Sequence, residues 1–225
     1  MYKQIFKRLL SFCIALIALL CIWWFLVIIA IWLHFANKGA GAFFHQTRIG
    51  RGEKPFRIIK FKSMTDERDE NGKLLPVAKR LTKMGRFIRL TSIDELPQLI
   101  NILKGDMGFI GPRPLPPIYL PYYTPEEAHR HDVRPGISGW AQVNGRKNIT
   151  WSHKLDCDVY YVDHCTFAMD VKIFFLTIKN VLKREGVEVE TSGNVRLFDT
   201  RGVQRADLIQ YDPNSANRST NTNIK

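Results

Sequence analysis

Residues 9–33 form an unbroken apolar stretch of 25 residues without a formal charge, and this stretch limits what the chain can fold into. As a helix it would be about 37 Å long, at about 1.5 Å per residue, which exceeds the bilayer's hydrocarbon core of about 30 Å. A secretory signal peptide has a shorter apolar core and a small-residue cleavage site, and the sequence has neither. It therefore predicts a retained membrane segment over residues 1–38.

The direction of this segment is not fixed by its flanks, because basic residues stand on both sides and the positive-inside rule needs an asymmetry. Two topologies fit: a helix that spans the bilayer, and a helix that re-enters the face from which it came. The length of the apolar stretch favours a helix that spans the bilayer. The central pair Trp23 and Trp24 favours a shallow or bent insertion, because tryptophan prefers the membrane interface.

The rest of the chain predicts one domain over residues 39–203 and a polar, disordered tail over residues 204–225. The patterns indicate an α+β fold, in which the membrane helix precedes a small, mostly helical domain with a short β element and amphipathic interface helices. The stretch "FAMDVKIFFLTIKNVLKREG" is such a helix. It could lie on an anionic membrane or pack into the core.

The charge balance indicates an anionic partner, since the formal net charge is +12 and the pI is about 9.7. Nucleic acid, acidic lipid and a phosphorylated small molecule all qualify. The sequence contains no helix-turn-helix, RNP or zinc signature, and an apolar membrane segment argues against a nucleic-acid binder. We therefore expect no nucleic-acid partner.

The stretch "SIDELPQL" places two adjacent acids, Asp94 and Glu95, before an apolar helical stripe that ends near Gly105. Ser92 and Glu95 have the spacing of a capping box, so capping alone could explain the pair. Alternatively, the helix begins at Asp94, which puts Pro97 in the first turn, where its missing N–H costs little. A carboxylate placed there stays ionised and partly free as a nucleophile, and Glu95 beside it could hold a hard divalent cation.

Three other stretches carry residues that could meet an anionic substrate. "KPFRIIKFKSM" alternates as a strand that presents Lys60, or it simply exposes solvated lysines. Two prolines flank Arg113, and a guanidinium on a stiff loop suits bidentate phosphate binding, although a surface arginine would look the same. Gln142, Asn144 and Arg146 alternate, so they could line a polar cleft or decorate a hairpin.

Taken together, five stretches resemble the bacterial sugar transferase family in order and spacing, over nearly the whole chain up to about residue 185. They are "FFHQTRIG", "KPFRIIKFKSM", "SIDELPQLINILKGDMGFIGPRP", "RPGISGWAQVNGR" and "DVYYVD…DVKIFFLTIKNVL". The members it resembles are minimal, single-domain, monotopic polyprenyl-phosphate phosphoglycosyl transferases.

This resemblance implies an enzyme of the bacterial inner membrane with its catalytic domain on the cytosolic face. Such an enzyme transfers a sugar-1-phosphate from a UDP-sugar to undecaprenyl phosphate and releases UMP, with Mg²⁺ as cofactor. The step begins the membrane assembly of a capsule, O-antigen, exopolysaccharide or glycoprotein glycan. Inner-membrane lipids and downstream glycosyltransferases are the further partners implied.

The resemblance also implies roles for individual residues. Asp94 matches the aspartate that forms a covalent phosphosugar intermediate, and Glu95 matches its dyad partner and metal neighbour. The other matched residues are expected to bind substrate: Lys60, Arg113, Arg146 and Asp170.

Two places near the N-terminus depart from the family pattern. Ser11 stands where the family has an aspartate, and Trp23 and Trp24 stand where a Ser-Pro pair breaks the membrane helix. A proline kink has a clear physical cause, so its absence removes the usual device for re-entry. The alternative function is a non-catalytic, membrane-anchored binder of phosphorylated lipid or glycan that uses only the basic surface.

Overall fold

The computed structural model describes residues 2–144, 150–183 and 202–205. It confirms the α+β class, with a long apolar N-terminal helix followed by a mostly helical domain. The domain limits at residues 38 and 203 stay a prediction. The α-helices are α1 (Lys7–Ala36), α2 (Val77–Arg80), α3 (Lys83–Leu90), α4 (Gln98–Lys104), α5 (Pro125–Ala128), α6 (Trp140–Asn144), α7 (Trp151–Asp163) and α8 (Phe167–Leu182).

The strands of the described residues form two separate pairs. β1 (Phe43–Ile49) runs antiparallel to β2 (Pro55–Phe61), which confirms the strand predicted in "KPFRIIKFKSM". β3 (Gly108–Ile110) runs parallel to β4 (Gly136–Ser138). Asn101 of α4 joins helix to sheet, because its side chain accepts from the Ile59 N–H and donates to a carbonyl of β2.

Helix α1 is long and apolar enough to cross a membrane, and it runs without a break through Trp23 and Trp24. One of its faces lies lengthwise on the domain. Ala15 packs in a buried cluster with residues of α4, and Ile29 and Leu33 pack in another with residues of α3. The opposite face is exposed and strongly apolar.

A buried ion pair holds the N-terminal end of α1. Lys7 lies 2.8 Å from Asp170 at the start of α8, and both side chains are about nine-tenths buried. Asp170 also accepts hydrogen bonds from Tyr161 at 2.5 Å and from Tyr2 at 2.6 Å. The carboxylate is therefore fully engaged in joining the N-terminal segment to α7 and α8.

Further polar contacts hold both ends of α1. Arg8 donates to the carbonyls of Ile102 and Leu103, which lie in the last turn of α4. At the other end, buried Asn37 donates to the Lys62 carbonyl at 2.7 Å. The helix is thus attached to the domain near both of its termini.

Helix α8 presents the predicted apolar stripe outward rather than into the core. Buried Ile173 lies on its inner face. Of the two alternatives for this helix, the described contacts favour a surface role for the stripe. Its exposed members are Val171, Phe174, Phe175, Ile178, Val181 and Leu182.

The Lys7–Asp170 pair is expected to dominate the attachment of α1. Lys7→Met leaves a buried carboxylate without its cation, so we expect the free energy of unfolding to fall by about 3–5 kcal/mol. The control is Lys38→Met, which breaks an exposed pair with Glu67 and should lower the free energy of unfolding far less, because solvent screens exposed charges. Denaturant unfolding in detergent measures both, and equal losses would contradict the assignment.

Candidate active site

The two acids lie in a tight turn between α3 and α4. Ser92 adopts the left-handed conformation at φ 57°, which is unfavourable for a residue with a side chain. A single 3₁₀ turn, Ile93–Glu95, follows, and α4 begins only after Pro97. The prediction that a helix begins at Asp94 was therefore wrong. The predicted end at Gly105 is confirmed, with that glycine at φ 92°.

The capping explanation for the acidic pair does not hold in this structure. The Ser92 side chain makes no capping hydrogen bond, and Glu95 points to basic partners instead. Non-glycine residues held in strained conformations cluster at functional sites. The backbone thus agrees with a functional role for the turn.

Glu95 is bound by two cations. Its Oε1 lies 2.5 Å from Lys60 Nζ and 3.5 Å from Arg113 Nη2, and its side chain is mostly buried. Burial opposes ionisation, but the charges of Arg113 and Lys60 outweigh it and hold the pKa of Glu95 below its usual range. Glu95 is therefore a permanent carboxylate that joins β2, the turn and the Arg113 loop.

Asp94 is the contrasting member of the pair. It has no hydrogen bond or ion pair with any residue in the described ranges, and it is partly buried. Burial raises the pKa of Asp94 to about 6, and the negative charge of Glu95 adds to this, whereas Lys60, Arg89 and Arg113 oppose it. An unpaired carboxylate with nearby positive charge is suited to attack an electrophile.

The buried side chain of Arg130 holds the backbone of the loop that contains Arg113. Arg130 Nη2 donates to the Arg113 carbonyl at 2.7 Å, and the same nitrogen lies 2.7 Å from Asp158. The side chains of Arg130 and Asp158 are almost fully buried, whereas that of Arg113 is 51% exposed. The loop thus combines a fixed backbone with an accessible guanidinium.

Sequence reasoning missed Arg89 and Arg130. Arg89 lies near the end of α3, where its Nε donates to Ser63 Oγ at 2.8 Å and its charge reaches Asp94. Its position five residues before Asp94 is the signal that could have identified it. No local signal identifies Arg130, since its partner Asp158 is far away in sequence.

The other predicted substrate-binding residues lie in different surroundings. Gln142 and Asn144 belong to α6, so the strand-like alternation proposed for them was wrong. Gln142 Oε1 is buried without a hydrogen bond, close to Gly139 and so to Gly111 before the Arg113 loop. Asn144 donates to the Trp140 carbonyl.

Two further predicted residues are not brought to the turn by any described contact. Asp170 is engaged with Lys7 and two tyrosines at the N-terminal end of α1. Arg146 lies outside the described residues. The described site therefore consists of Asp94, Glu95, Lys60, Arg89 and Arg113.

The site's capacity for a metal ion rests on two carboxylates. Within residues 2–144, 150–183 and 202–205, no three His, Cys, Asp or Glu side chains come together as a metal cluster. Mg²⁺ is commonly held by only one or two carboxylates together with substrate phosphates. Asp94 and Glu95 fit that mode of binding.

Comparison with known proteins identifies the family of this chain. The family model for bacterial sugar transferases matches residues 2–184. The chain is 51% identical over 185 residues to the uncharacterized sugar transferase EpsL of Bacillus subtilis, covering 82% of this chain and 91% of that protein.

Two longer relatives carry more specific names. Over 177 residues the chain is 37% identical to the undecaprenyl-phosphate galactose phosphotransferase of Salmonella typhimurium, covering 71% of this chain and 37% of that protein. Over 188 residues it is 37% identical to the UDP-glucose:undecaprenyl-phosphate glucose-1-phosphate transferase of Escherichia coli, covering 78% and 40%. The chain thus spans about two-fifths of these two relatives and nearly all of EpsL, and it belongs to the bacterial sugar transferase family.

Proposed function

We propose that this enzyme transfers a sugar-1-phosphate from a UDP-sugar to undecaprenyl phosphate, with Asp94 as the covalent nucleophile. The observation that carries the proposal is the unequal pair of acids. Glu95 is bound by Lys60 and Arg113, whereas Asp94 has no hydrogen bond or ion pair with any of the described residues. The names of the relatives support this donor and acceptor.

The reaction proceeds in two displacements. An Asp94 oxygen attacks the sugar-linked phosphorus of the donor, the bond from that phosphorus to the bridging oxygen breaks, and UMP leaves. A phosphate oxygen of the lipid then attacks the phosphorus of the aspartyl phosphosugar. This second step regenerates the carboxylate and gives a sugar linked to the lipid by a diphosphate. Two bulky anions can therefore use one site in turn.

The surrounding cations supply what phosphoryl transfer mainly requires, which is positioning and stabilisation of charge. Lys60 and Arg113 are fixed by Glu95, and Arg89 is fixed by Ser63. Arg113 is the most exposed of these and suits the donor phosphates through its planar, two-pronged guanidinium. The carboxylate of Glu95 keeps this charge in place.

We propose Mg²⁺ as the cofactor, held by Glu95 and by the donor phosphates. When bound, the ion neutralises charge on the phosphate oxygens. Glu95 keeps its negative charge at neutral pH because its pKa is lowered, so it remains available as a ligand. The sugar of the donor and the glycan pathway are not specified by these residues.

Loss of the nucleophile is expected to abolish turnover. Asp94→Asn should reduce UMP release by roughly 1,000-fold or more, because the amide cannot form the covalent intermediate. The assay contains UDP-sugar, Mg²⁺ and polyprenyl phosphate, and the control is Asp156→Asn, an exposed acid on α7. Mass spectrometry after incubation with donor alone should find a sugar-phosphate adduct on Asp94 of the unmodified enzyme.

An Asp94→Asn enzyme with full activity would defeat the covalent mechanism. An unmodified enzyme that binds lipid but releases no UMP from any UDP-sugar would favour the non-catalytic binder instead.

The pH dependence should follow the ionisation of Asp94. Because the carboxylate is the nucleophile and its pKa is raised to about 6, kcat/KM for the UDP-sugar should fall about tenfold per pH unit below pH 6. Lys60→Gln removes a charge that favours ionisation, so the acidic limb should move to higher pH. The neighbouring Lys62→Gln, whose lysine pairs with Asp66, should leave the limb in place.

We further propose that α1 rests in one leaflet on the cytosolic side of the inner membrane, with both ends on the same face. Lys7 and Asn37 attach opposite ends of the helix to one domain. A bilayer span would require one of these polar attachments to be carried across the membrane or broken. The exposed faces of α1 and α8 supply an apolar surface for one leaflet.

Cysteine accessibility can test this topology. In a background with Cys13 and Cys21 replaced by alanine, Ile5→Cys and Lys73→Cys are labelled with a membrane-impermeant maleimide. Ile5 precedes α1, and Lys73 lies in an exposed turn of the domain. We expect both to react in inverted vesicles and neither in intact spheroplasts, whereas labelling of position 5 from the periplasm would establish a span.

A further inference from the structure

The described surface has an apolar groove between α1 and α3 that the proposed chemistry does not use. The groove has a volume of about 580 Å³, which lies within the range of about 300–1,000 Å³ typical of small-molecule sites. We propose that it binds the first isoprene units of the polyprenyl phosphate acceptor. This inference rests on the proposed function, since it assigns a place to the acceptor of that reaction.

Two aromatic side chains dominate the groove. Trp32 of α1 is 55% exposed and Phe87 of α3 is 50% exposed, whereas Met84 is almost completely buried. Ala36 also lines the groove, and its small side chain leaves room between the helices. A hydrocarbon chain that lies between these aromatic walls makes close packing contacts with both ring faces.

The groove is continuous with the proposed membrane-facing surface of the protein. Trp32 belongs to the same exposed apolar side of α1 that we place in the leaflet. An isoprenoid chain can therefore pass from the lipid phase into the groove without crossing water. That route is closed to a water-soluble ligand such as the UDP-sugar.

The groove also leads towards the nucleophile. Phe87 and Leu90 are spaced by three residues and are both exposed, so they continue an apolar stripe along α3 towards its C-terminal end. Asp94 follows four residues after Leu90. Ile93, directly before Asp94, packs against the buried cluster that contains Met84.

The positive charge near Asp94 favours a lipid phosphate acceptor over an ordinary membrane lipid. At the end of this stripe the positive charges of Arg89, Lys60 and Arg113 surround Asp94. A ligand with a terminal phosphate directly on an apolar chain matches this order of apolar and cationic groups. An acyl chain of a bulk phospholipid is the other occupant, and the experiment separates the two.

The test compares acceptors of different chain length in detergent. Phe87→Ala and Trp32→Ala should each raise KM for undecaprenyl phosphate roughly tenfold, as expected for the loss of one buried aromatic contact. KM for methyl phosphate, an acceptor that has no isoprene unit to place in the groove, should not change. Neither variant should change KM for the UDP-sugar.

Matched controls lie outside the groove. Trp24 is as exposed as Trp32 on the same helix, and Phe174 is as exposed as Phe87. Trp24→Ala and Phe174→Ala should not alter the ratio of the two acceptor KM values, even if they weaken membrane attachment. A filled groove, Ala36→Trp, should reproduce the loss seen with Phe87→Ala while retaining the thermal stability of the fold.

Direct capture of the chain provides a second measurement. A polyprenyl phosphate with a photoreactive group on its first isoprene unit should label residues 82–90, and Ala36→Trp should suppress the labelling. Unlabelled undecaprenyl phosphate should suppress this labelling more strongly than bulk phospholipid does. Equal suppression by the two would overturn the assignment and indicate a site for phospholipid acyl chains.

The experiments distinguish an incorrect groove assignment from an incorrect proposed function. UMP release with no chain-length effect in any groove variant would reject the groove and leave the transferase intact. An enzyme without UMP release would reject the proposed function, and labelling of residues 82–90 would then decide the groove on its own.

Discussion

The bond between Glu95 and Lys60 is the interaction on which the site depends. It joins the turn that carries the two acids to β2, and the same carboxylate oxygen extends the link to Arg113. Because Glu95 pairs with these cations, Asp94 lies near them without a partner among the residues that the structure describes. Two chemically similar acids thus acquire different properties from their surroundings, with the pKa of one lowered and that of the other raised.

The buried ion pair between Arg130 and Asp158 makes the loop that carries Arg113 rigid. Arg130 and Asp158 lie in the interior, where an unpaired charge would be very costly. Their pairing lets Arg130 direct one N–H to the Arg113 carbonyl. The prolines beside Arg113 restrict its backbone, and Arg130 fixes where that restricted backbone lies. A flexible surface arginine would lose more conformational entropy on binding a phosphate.

The sequence predicted those features that depend on local chemistry. The α4 stripe and its end at Gly105 follow from side-chain spacing and backbone preference, and both were confirmed. The start of that helix was misplaced because the left-handed Ser92 inserts a 3₁₀ turn before Pro97. Gln142 was assigned to an extended segment because alternating polar residues are typical of a strand. The same alternation also occurs in a short helix such as α6, so it does not distinguish the two. The roles of Arg89 and Arg130 depend on contacts between distant segments, which periodicity does not report.

The contacts between α1 and the rest of the domain account for both departures from the family pattern, at Ser11 and at Trp23-Trp24. Ser11 is buried on the inner face of α1, beside a cavity lined by Lys7, Arg8 and Arg134. A carboxylate at this position would balance those cations, but here Asp170 and the carbonyls at the end of α4 already receive them. A kink keeps both ends of a membrane helix on one face by bending it. Under the topology that we propose, attachment of an unbroken helix to one domain near both ends meets the same requirement without a proline.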